Sequence, residues 1–325
     1  MTIDVRVDVH VHVYVHVGGG DVDVGARGGV GVGARGGGGD VGIGVGGWRR
    51  VRGRGRAIQI PAARHGPRRR LWVYARAMAF EQHGHTHRLD WVDPTIREWD
   101  CTVVWSDPAD PEAGIVLDRS AFYPGGGGQP PDHGVLIWQG VQTRIIDTRK
   151  GDEHYLIPGP GDPVPPIGTT VRGAVDDERR TTLMRTHSGL HILCGTVFRD
   201  FGALVTGGNM QPGEARMDFN LPEVPPGFKQ ALEDAVNAEI AADRKIVARV
   251  LPREQALAIP DLVRTQDALP PLEAPEIRVV DIVGLDVQAD GGTHVASTAQ
   301  VGRVQVVKVE SKGRQNRRVR IKLVG

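Results

Sequence analysis

Two short segments of this chain carry residue types that can bind a metal ion. In the first, His-Ser-Gly-Leu-His, His187 and His191 are four residues apart within a helical pattern, so both imidazoles project from one face. The second, Asp-Gly-Gly-Thr-His, adds Asp290 and His294 in a glycine-rich turn. Two histidines on a helix and a distant pair on a loop can fill the four positions around one Zn²⁺ ion. The spacing therefore predicts a metal site assembled from both segments.

Asp290 can take either of two roles in such a site. As a direct ligand it closes an N3O site, whereas outside the coordination shell it leaves a fourth position for water and can accept that water's proton. Its spacing to His294 favours direct ligation, and both roles stay open. Ser188 stands where a zinc protease would carry glutamate, so that class of enzyme is disfavoured. Cys194, seven residues after His187, is expected to be a small core residue.

The composition of the 325 residues is that of a chain large enough for two domains. The net charge of +1 does not by itself indicate a nucleic-acid partner. Only two cysteines occur, Cys101 and Cys194, which argues against a disulfide framework and for a reducing compartment. No segment has the apolar length of a membrane span, and the N-terminus lacks the pattern of a secretory signal. We therefore expect a cytoplasmic protein without a membrane partner.

Residues 1–77 differ sharply from the rest of the chain. They contain no Lys, Glu, Ser or Asn, and 18 of the 45 glycines lie within the first 60 residues. Alternation of Val with His is compatible with a strand, and His10, His12 and His16 with a metal-binding tract. The composition instead favours a low-complexity, disordered segment that cannot bury a core. It is also what a GC-rich upstream reading frame would encode, so we expect the physiological start at Met78.

Residues 88–165 contain short β-rich runs separated by turn signals, which predict a small antiparallel β-barrel-like domain. The β-rich runs are Cys101–Trp105, Gly114–Ala121, Gly134–Gln139, Val141–Asp147, His154–Ile157 and, beyond a proline-rich linker at Pro158–Pro166, Thr170–Val175. One loop carries four glycines, Gly125–Gly128, followed by Gln129. Consecutive glycines cost backbone entropy and therefore suggest positive φ angles or close approach of the backbone. Taken alone, they are more typical of a flexible hairpin loop.

Residues 176–325 are predicted to form a two-layer α+β domain. A helix is expected from Asp176 to Phe201, ending at Gly202, and a second, amphipathic helix over Gly227–Asp243. The predicted strands are Lys245–Leu251, Ile277–Val283, Arg303–Val309 and Arg317–Val324. Helices packed on an antiparallel sheet give the fold class α+β.

The last hairpin is strongly basic. Its basic residues are Arg303, Lys308, Lys312, Arg314, Arg317, Arg318, Arg320 and Lys322. Such a cluster can contact the phosphate backbone of a nucleic acid, but it is equally typical of a solvated hairpin. Charge alone does not decide between the two.

Three motifs in a fixed order resemble those of one protein family. They are Phe122-Tyr-Pro with the glycines and Gln129 that follow, Arg185-Thr-His-Ser-Gly-Leu-His191, and Asp290-Gly-Gly-Thr-His-Val295. Together with the basic segment near the C-terminus, they make residues 88–325 similar to the free-standing alanyl-tRNA editing proteins. These proteins are relatives of the editing domain of alanyl-tRNA synthetase. Residues 1–77 match nothing in that family.

The resemblance implies the fold of the domain common to threonyl- and alanyl-tRNA synthetases, and a trans-editing hydrolase that uses one Zn²⁺ ion. Such an enzyme cleaves the ester that joins wrongly attached serine or glycine to tRNA specific for alanine. The implied metal ligands are His187, His191, Asp290 and His294, and the implied catalytic residues are Asp290, Thr293 and Gln129. The implied substrate-binding residues are Gly126, Gly127, Gly128, Thr206, Arg317 and Arg318. Thr206 and Thr293 are candidates to bind the serine hydroxyl. Most relatives carry Cys where this chain has Asp290, which puts the affinity and identity of the metal in question.

Three alternatives stand beside this interpretation. A complete alanyl-tRNA synthetase needs an adenylate-forming domain. The roughly 90 residues before the barrel are too few for such a domain and lack the composition of a globular fold, so this alternative is disfavoured. A non-catalytic tRNA-binding module would use the metal only for structure, as four protein ligands allow. The Gly-Gly-Gln sequence ending at Gln129 resembles the loop of release factors, but no other feature supports that function. We expect a monomer or small oligomer, since no extended helical region follows Gly325.

Overall fold

The computed structural model describes residues 2–7, 11–18, 21–28, 85–265 and 273–325. Its contacts divide into two units, Met1–His65 and Gly66–Gly325. In the first unit, strands β1 (Thr2–Val7), β2 (Val11–Gly18) and β3 (Asp21–Gly28) pair antiparallel in the order β1-β2-β3. His12 and His16 of the Val–His alternation thus lie in β2, whereas His10 is outside the described residues. The disorder expected for the rest of residues 1–77, and the expected start at Met78, concern positions outside the described residues and stay predictions.

The second unit begins with a six-stranded antiparallel sheet that curls into a barrel-like shape. Before and beside it lie β4 (His87–Arg88), helix α1 (Leu89–Val92) and β7 (Arg119–Ser120), which pairs with β4. The strands of the sheet are β5 (Glu98–Trp105), β6 (Val116–Leu117), β8 (Gly134–Trp138), β9 (Val141–Lys150), β10 (His154–Pro158) and β11 (Thr170–Val175). They follow the order β10-β9-β8-β11-β5-β6, and an antiparallel bridge between Ile115 and Leu156 brings the two ends together. The predicted barrel-like architecture is confirmed.

The sheet extends beyond residue 165, where the first domain was predicted to end. Strand β11 lies in its middle, between β8 and β5. The predicted linker Pro158–Pro166 packs against the barrel: Val164 is buried in its core, and the Pro165 carbonyl accepts a hydrogen bond of 2.6 Å from Ser106. The barrel therefore runs to residue 175, because β11 supplies the backbone that joins β8 to β5.

The rest of the unit is a two-layer α+β arrangement, as predicted. Its elements are α2 (Asp177–Phe201), β12 (Val205–Gln211), β13 (Glu214–Phe219), α3 (Phe228–Ala241), β14 (Ile246–Pro252), α4 (Arg253–Leu257), β15 (Glu276–Ile282), β16 (Asp286–Ala289), β17 (Arg303–Ser311) and β18 (Arg317–Val324). One sheet has the order β12-β13-β18-β17, and a smaller one the order β14-β15-β16. Apolar residues of α2 and α3 share a core with both sheets. Within the described ranges, no helix has the length and apolar character of a membrane span.

The barrel and the α+β part share a buried ion pair. Arg180 on α2 is fully buried, and its Nε lies 3.0 and 2.9 Å from the two carboxylate oxygens of Asp132, which follows the glycine loop. The guanidinium also donates to the carbonyls of Pro94 and Ala121. The backbone N–H of Tyr123 donates to the same carboxylate at 2.7 Å. Each guanidinium nitrogen of Arg180 and each carboxylate oxygen of Asp132 thus has a hydrogen-bond partner, as a buried ion pair requires.

Candidate metal centre

Helix α2 places two histidines on its buried face. It begins after Asp176, whose side chain accepts a hydrogen bond of 3.0 Å from the Arg179 N–H, and it ends at Gly202 in a left-handed conformation with φ of 64°. His187 and His191, one turn apart, are both buried. The same helix was predicted from its capping residues and its apolar positions.

The second half of the centre is the loop that follows β16. Asp290 Oδ2 accepts a hydrogen bond of 2.7 Å from the Gly292 N–H, which closes a tight turn. The buried Arg278 donates from Nη1 to the carbonyls of Asp290, at 3.1 Å, and Gly292, at 2.8 Å. Gly292 lies so close to His187 that a Cβ atom at this position would overlap the imidazole, whereas a Cβ on Gly291 would meet open space. The turn therefore needs glycine at the second position because His187 occupies that volume.

Four side chains converge at this point. Ligand atoms of His187, His191, Asp290 and His294 all lie within 4.8 Å of one another. Asp290 Oδ1 is 3.7 Å from His187 Nε2 and 3.9 Å from His191 Nε2, and Asp290 Oδ2 is 3.0 Å from His294 Nε2. Ligand atoms of a tetrahedral zinc site, with bonds of about 2.0–2.2 Å, are roughly 3.3–3.6 Å apart. The four ligand atoms are somewhat more widely spread than in such a site, and this donor set could hold a metal ion.

Burial sets the protonation state of this cluster. It lowers the pKa of His187 well below the usual 6.5, against the attraction of Asp290, and lowers the pKa of His294 to about 4. Burial opposes the charge on Asp290, but the neighbouring imidazoles and the hydrogen bond with His294 hold its pKa well below 3.8. The imidazoles of His187 and His294 are thus favoured in the neutral form beside an ionised carboxylate, which is the state that binds a metal ion.

The barrel contributes Gln129 to this centre through a tight turn. Gly126 and Gln129 exchange two backbone hydrogen bonds of 2.9 Å, and Gly127 and Gly128 between them have φ of 56° and 86°. Positive φ at both central positions is the pattern of a type I′ turn, for which glycine is favoured. The Gln129 side chain is 2% exposed, and its Oε1 lies 2.9 Å from His187 Nδ1. The glycine loop is therefore a tight turn that places the Gln129 amide beside His187, one of the ligand candidates.

The Gln129 amide also forms hydrogen bonds with the loop after β16, which contains Asp290 and His294. Gln129 Oε1 accepts a hydrogen bond of 3.1 Å from the Thr293 N–H, and Gln129 Nε2 donates to Thr293 Oγ1 at 2.9 Å. Thr293 is fully buried. One side chain of the barrel thus connects helix α2 with the loop after β16.

The chain is similar in sequence to several alanyl-tRNA editing proteins. The alanyl-tRNA editing protein AlaX-M of Saccharolobus solfataricus is 36% identical over 210 residues, which cover 63% of this chain and 86% of that relative. AlaX-M of Methanosarcina barkeri is 30% identical over 249 residues, covering 74% of this chain and 99% of that relative. The chain belongs to the alanyl-tRNA editing protein family. The resemblance inferred from the three motifs is confirmed.

Two family models match separate parts of this editing-family chain. The threonyl and alanyl tRNA synthetase second additional domain matches residues 277–320, which include the loop from Asp290 to His294. The class II (A) tRNA synthetases match residues 108–179, which include the glycine turn. The alanine–tRNA ligase of Pyrobaculum neutrophilum is 37% identical over 203 residues, covering 60% of this chain but 22% of the ligase. The similarity therefore extends to a limited part of the ligase.

The structure brings some of the predicted site residues together and leaves others apart. The four ligand candidates, Gln129, Thr293 and Gly127 lie at one centre, and a Cβ on Gly127 would be 3.6 Å from Asp290 Oδ1. Gly128 contacts β12 instead, since its carbonyl accepts a hydrogen bond of 3.1 Å from the Met210 N–H. Thr206 on β12 is hydrogen-bonded to Asn316. The roles predicted for these residues toward a substrate stay predictions.

Most cations of the basic hairpin have partners within the protein. Arg318 forms two hydrogen bonds of 2.7 Å with Asp218, and Arg317 donates to backbone carbonyls. The other paired cations are Arg303 with Glu233, Lys308 and Arg320 with Glu310, and Lys322 with Glu214. In the part of the chain that the structure describes, Lys312 and Arg314 at the hairpin tip have no acidic partner within 4 Å. Among the described residues, the hairpin cations without an acidic partner also include Arg317, so they lie at the tip or directly next to it.

Sequence reasoning missed three residues that support the centre. Arg278 is an arginine within the apolar strand β15, a pattern that indicates a buried polar contact. Ser188 lies between the two histidines of the helical motif, but nothing in the sequence shows that its hydroxyl reaches His294. Asp132 carries no local signal for its ion pair with Arg180.

Proposed function

We propose that this protein is a metal-dependent hydrolase that removes serine or glycine from tRNA specific for alanine. The observation that carries the proposal is the cluster of three imidazoles and one carboxylate, with ligand atoms within 4.8 Å, in a chain of the editing family. An aminoacyl ester is labile, so the protein needs to position it, activate a water molecule and exclude correctly charged alanine. We further propose that it acts in the cytoplasm, alongside translation.

His187, His191, His294 and Asp290 would hold one Zn²⁺ ion. The ion supplies Lewis acidity, which stabilises the negative charge that develops on oxygen during ester hydrolysis. Oδ2 of Asp290 is already engaged by the Gly292 N–H, while its Oδ1 lies at similar distances from two imidazole nitrogens. These contacts support Oδ1 as a ligand and favour direct ligation over a role outside the coordination shell.

The exposed tip of the glycine turn would guide the acyl end of the substrate. Gly127 is exposed, and a Cβ atom at this position would have Asp290 Oδ1 as its one neighbour within 4 Å among the described residues. Lys150 lies against Gly126 with its ammonium group, which provides a positive charge beside the turn. We propose that the backbone of Gly126, Gly127 and Gly128 contacts the 3′ end of the RNA there. Gln129 would act as a positioning residue on His187 and Thr293.

The hydroxyl of a mischarged serine would need a separate partner. The Thr293 hydroxyl is occupied by Gln129, and the Thr206 hydroxyl by Asn316, so neither is free without exchange of a hydrogen bond. Of the two, Thr293 stands nearer the proposed chemistry because it precedes His294 directly. The exposed cations Lys312 and Arg314 would contact RNA phosphates, which predicts binding that weakens as salt rises.

One assay tests the proposal. The full chain, loaded with zinc, is incubated with seryl-, glycyl- and alanyl-tRNA specific for alanine, with and without a chelator, and ester loss is measured. We expect loss of the seryl or glycyl ester, retention of the alanyl ester, and inhibition by the chelator. A folded, zinc-loaded sample that binds tRNA but removes neither amino acid would instead identify a tRNA-binding module with a structural metal. The variant His187→Ala, if fully active, would contradict the assignment of the site.

A further inference from the structure

Ser188 connects helix α2 to the loop after β16 through its hydroxyl. The residue is fully buried between His187 and Gly189 on the helix. Its Oγ lies 3.1 Å from His294 Nδ1 and accepts a hydrogen bond of 3.2 Å from the Val295 N–H. A hydroxyl oxygen has two lone pairs, so it can accept from both groups at once.

The contact with Ser188 affects which ring nitrogen of His294 is available to bind an ion. His294 turns Nε2 toward Asp290 and Nδ1 toward Ser188. The centre of its ring lies 4.4 Å from that of His187 and 4.7 Å from that of His191. A neutral imidazole carries its proton on one nitrogen and a lone pair on the other. Without an ion, the ionised Asp290 carboxylate can only accept, so the Nε2–H of His294 donates to it. With an ion bound at Nε2, the proton would lie on Nδ1 and donate to Ser188 Oγ, so this hydrogen bond would hold the ring and stabilise the metal-binding tautomer.

We propose that Ser188 is a positioning residue for the metal centre, which holds the His294 ring and favours the tautomer with Nε2 available to the ion. The inference rests on the proposed function only in that the cluster binds a metal ion. A second contact of the same type supports it, since Gln129 Oε1 lies 2.9 Å from His187 Nδ1. Two of the three imidazoles thus have a buried side-chain oxygen at Nδ1.

A purely structural role for Ser188 gives different expectations. In that case its hydroxyl serves only the Val295 N–H, and its loss lowers the stability of the fold without a specific effect on metal binding. Thr196 provides a matched control on the same helix, because it is fully buried and its hydroxyl donates at 2.8 Å to the carbonyl of Ile192. That hydroxyl contacts no ligand candidate.

The test measures zinc affinity by competition with a chromogenic chelator, in the full chain. We expect Ser188→Ala to raise the zinc dissociation constant about 10- to 100-fold, and Thr196→Val to leave it unchanged. Because Ser188 acts through His294, the serine substitution should have no further effect in a His294→Ala background. The visible spectrum of the cobalt-loaded protein should also change in Ser188→Ala, which reports the ligand field rather than global stability.

Two results would overturn the inference. One is a Ser188→Ala protein that binds zinc with the affinity of the unsubstituted chain. The other is an equal loss of affinity from the serine substitution with and without His294. Neither result depends on ester hydrolysis: a zinc-binding chain without deacylase activity contradicts the proposed function alone.

Discussion

Replacing Asp132 by alanine tests the contact between the barrel and the helix that carries two ligand candidates. The side chains of Asp132 and Arg180 are both 0% exposed, and the carboxylate also accepts the Tyr123 N–H at 2.7 Å. Its removal leaves a guanidinium charge and a backbone N–H without their partner inside the protein. Breaking a buried ion pair in this way costs about 3–5 kcal/mol. A loss of that size is a large fraction of the roughly 5–15 kcal/mol that stabilises a typical protein.

Urea denaturation followed by circular dichroism measures the free energy of unfolding. We expect Asp132→Ala to lower it by about 3–5 kcal/mol. A double variant, Arg180→Met with Asp132→Leu, should recover part of that loss, since no charge is left buried while the Tyr123 N–H still lacks its acceptor. Arg172→Ala is the control, because this residue pairs with Glu98 at the surface and should matter by less than about 1 kcal/mol. An Asp132→Ala protein as stable as this control would refute the reasoning.

Three further predictions concern the centre and its surroundings. Gly292→Ala should abolish zinc binding, measured by chelator competition, because its methyl group would overlap His187. Gly291→Ala is the control and should bind zinc normally, since open space surrounds that position. Equal zinc binding by the two variants would contradict the close packing of Gly292 against His187. Gln129→Ala should raise the zinc dissociation constant about tenfold in the same assay, through loss of the hydrogen bond to His187, and an unchanged constant would argue against a positioning role. Burial lowers the pKa of His154 to about 4 from 6.5, so the folded state favours the neutral ring. The folded state is therefore fully stable in this respect above pH 6.5 and loses stability as the pH falls toward 4. Between these pH values, the melting temperature of His154→Gln should fall less steeply than that of the unsubstituted chain, and parallel curves would refute this linkage.

The sequence was sufficient to predict the relative positions of residues that lie on the same helix or in the same turn. The i, i+4 spacing of His187 and His191 needs only helical geometry, and the caps Asp176 and Gly202 define where that helix begins and ends. Association of the helix with the loop that ends at His294 followed from ligand chemistry and from the order of the motifs. These parts of the site could be predicted.

Contacts between distant segments could not be predicted in the same way. Strand β11 pairs with β5 and β8, and nothing in its own alternation of residues selects those partners. Gly291 and Gly292 are equivalent in the sequence, but only the second lies against an imidazole. The hairpin cations are close in sequence, but Arg303, Arg318 and Lys322 pair with acidic residues of other elements, and these pairs become visible only in the folded chain.

The connection between β11 and α2 has a mechanical consequence. A single residue, Asp176, separates them; its N–H donates at 2.9 Å to the carbonyl of His133, and its side chain caps the helix. The last barrel strand and the helix with His187 therefore follow each other without a linker, and Asp176 is hydrogen-bonded to both parts. The barrel, which carries the glycine turn, and the helix, which carries two ligand candidates, are thus coupled at the residue where the chain passes from one to the other.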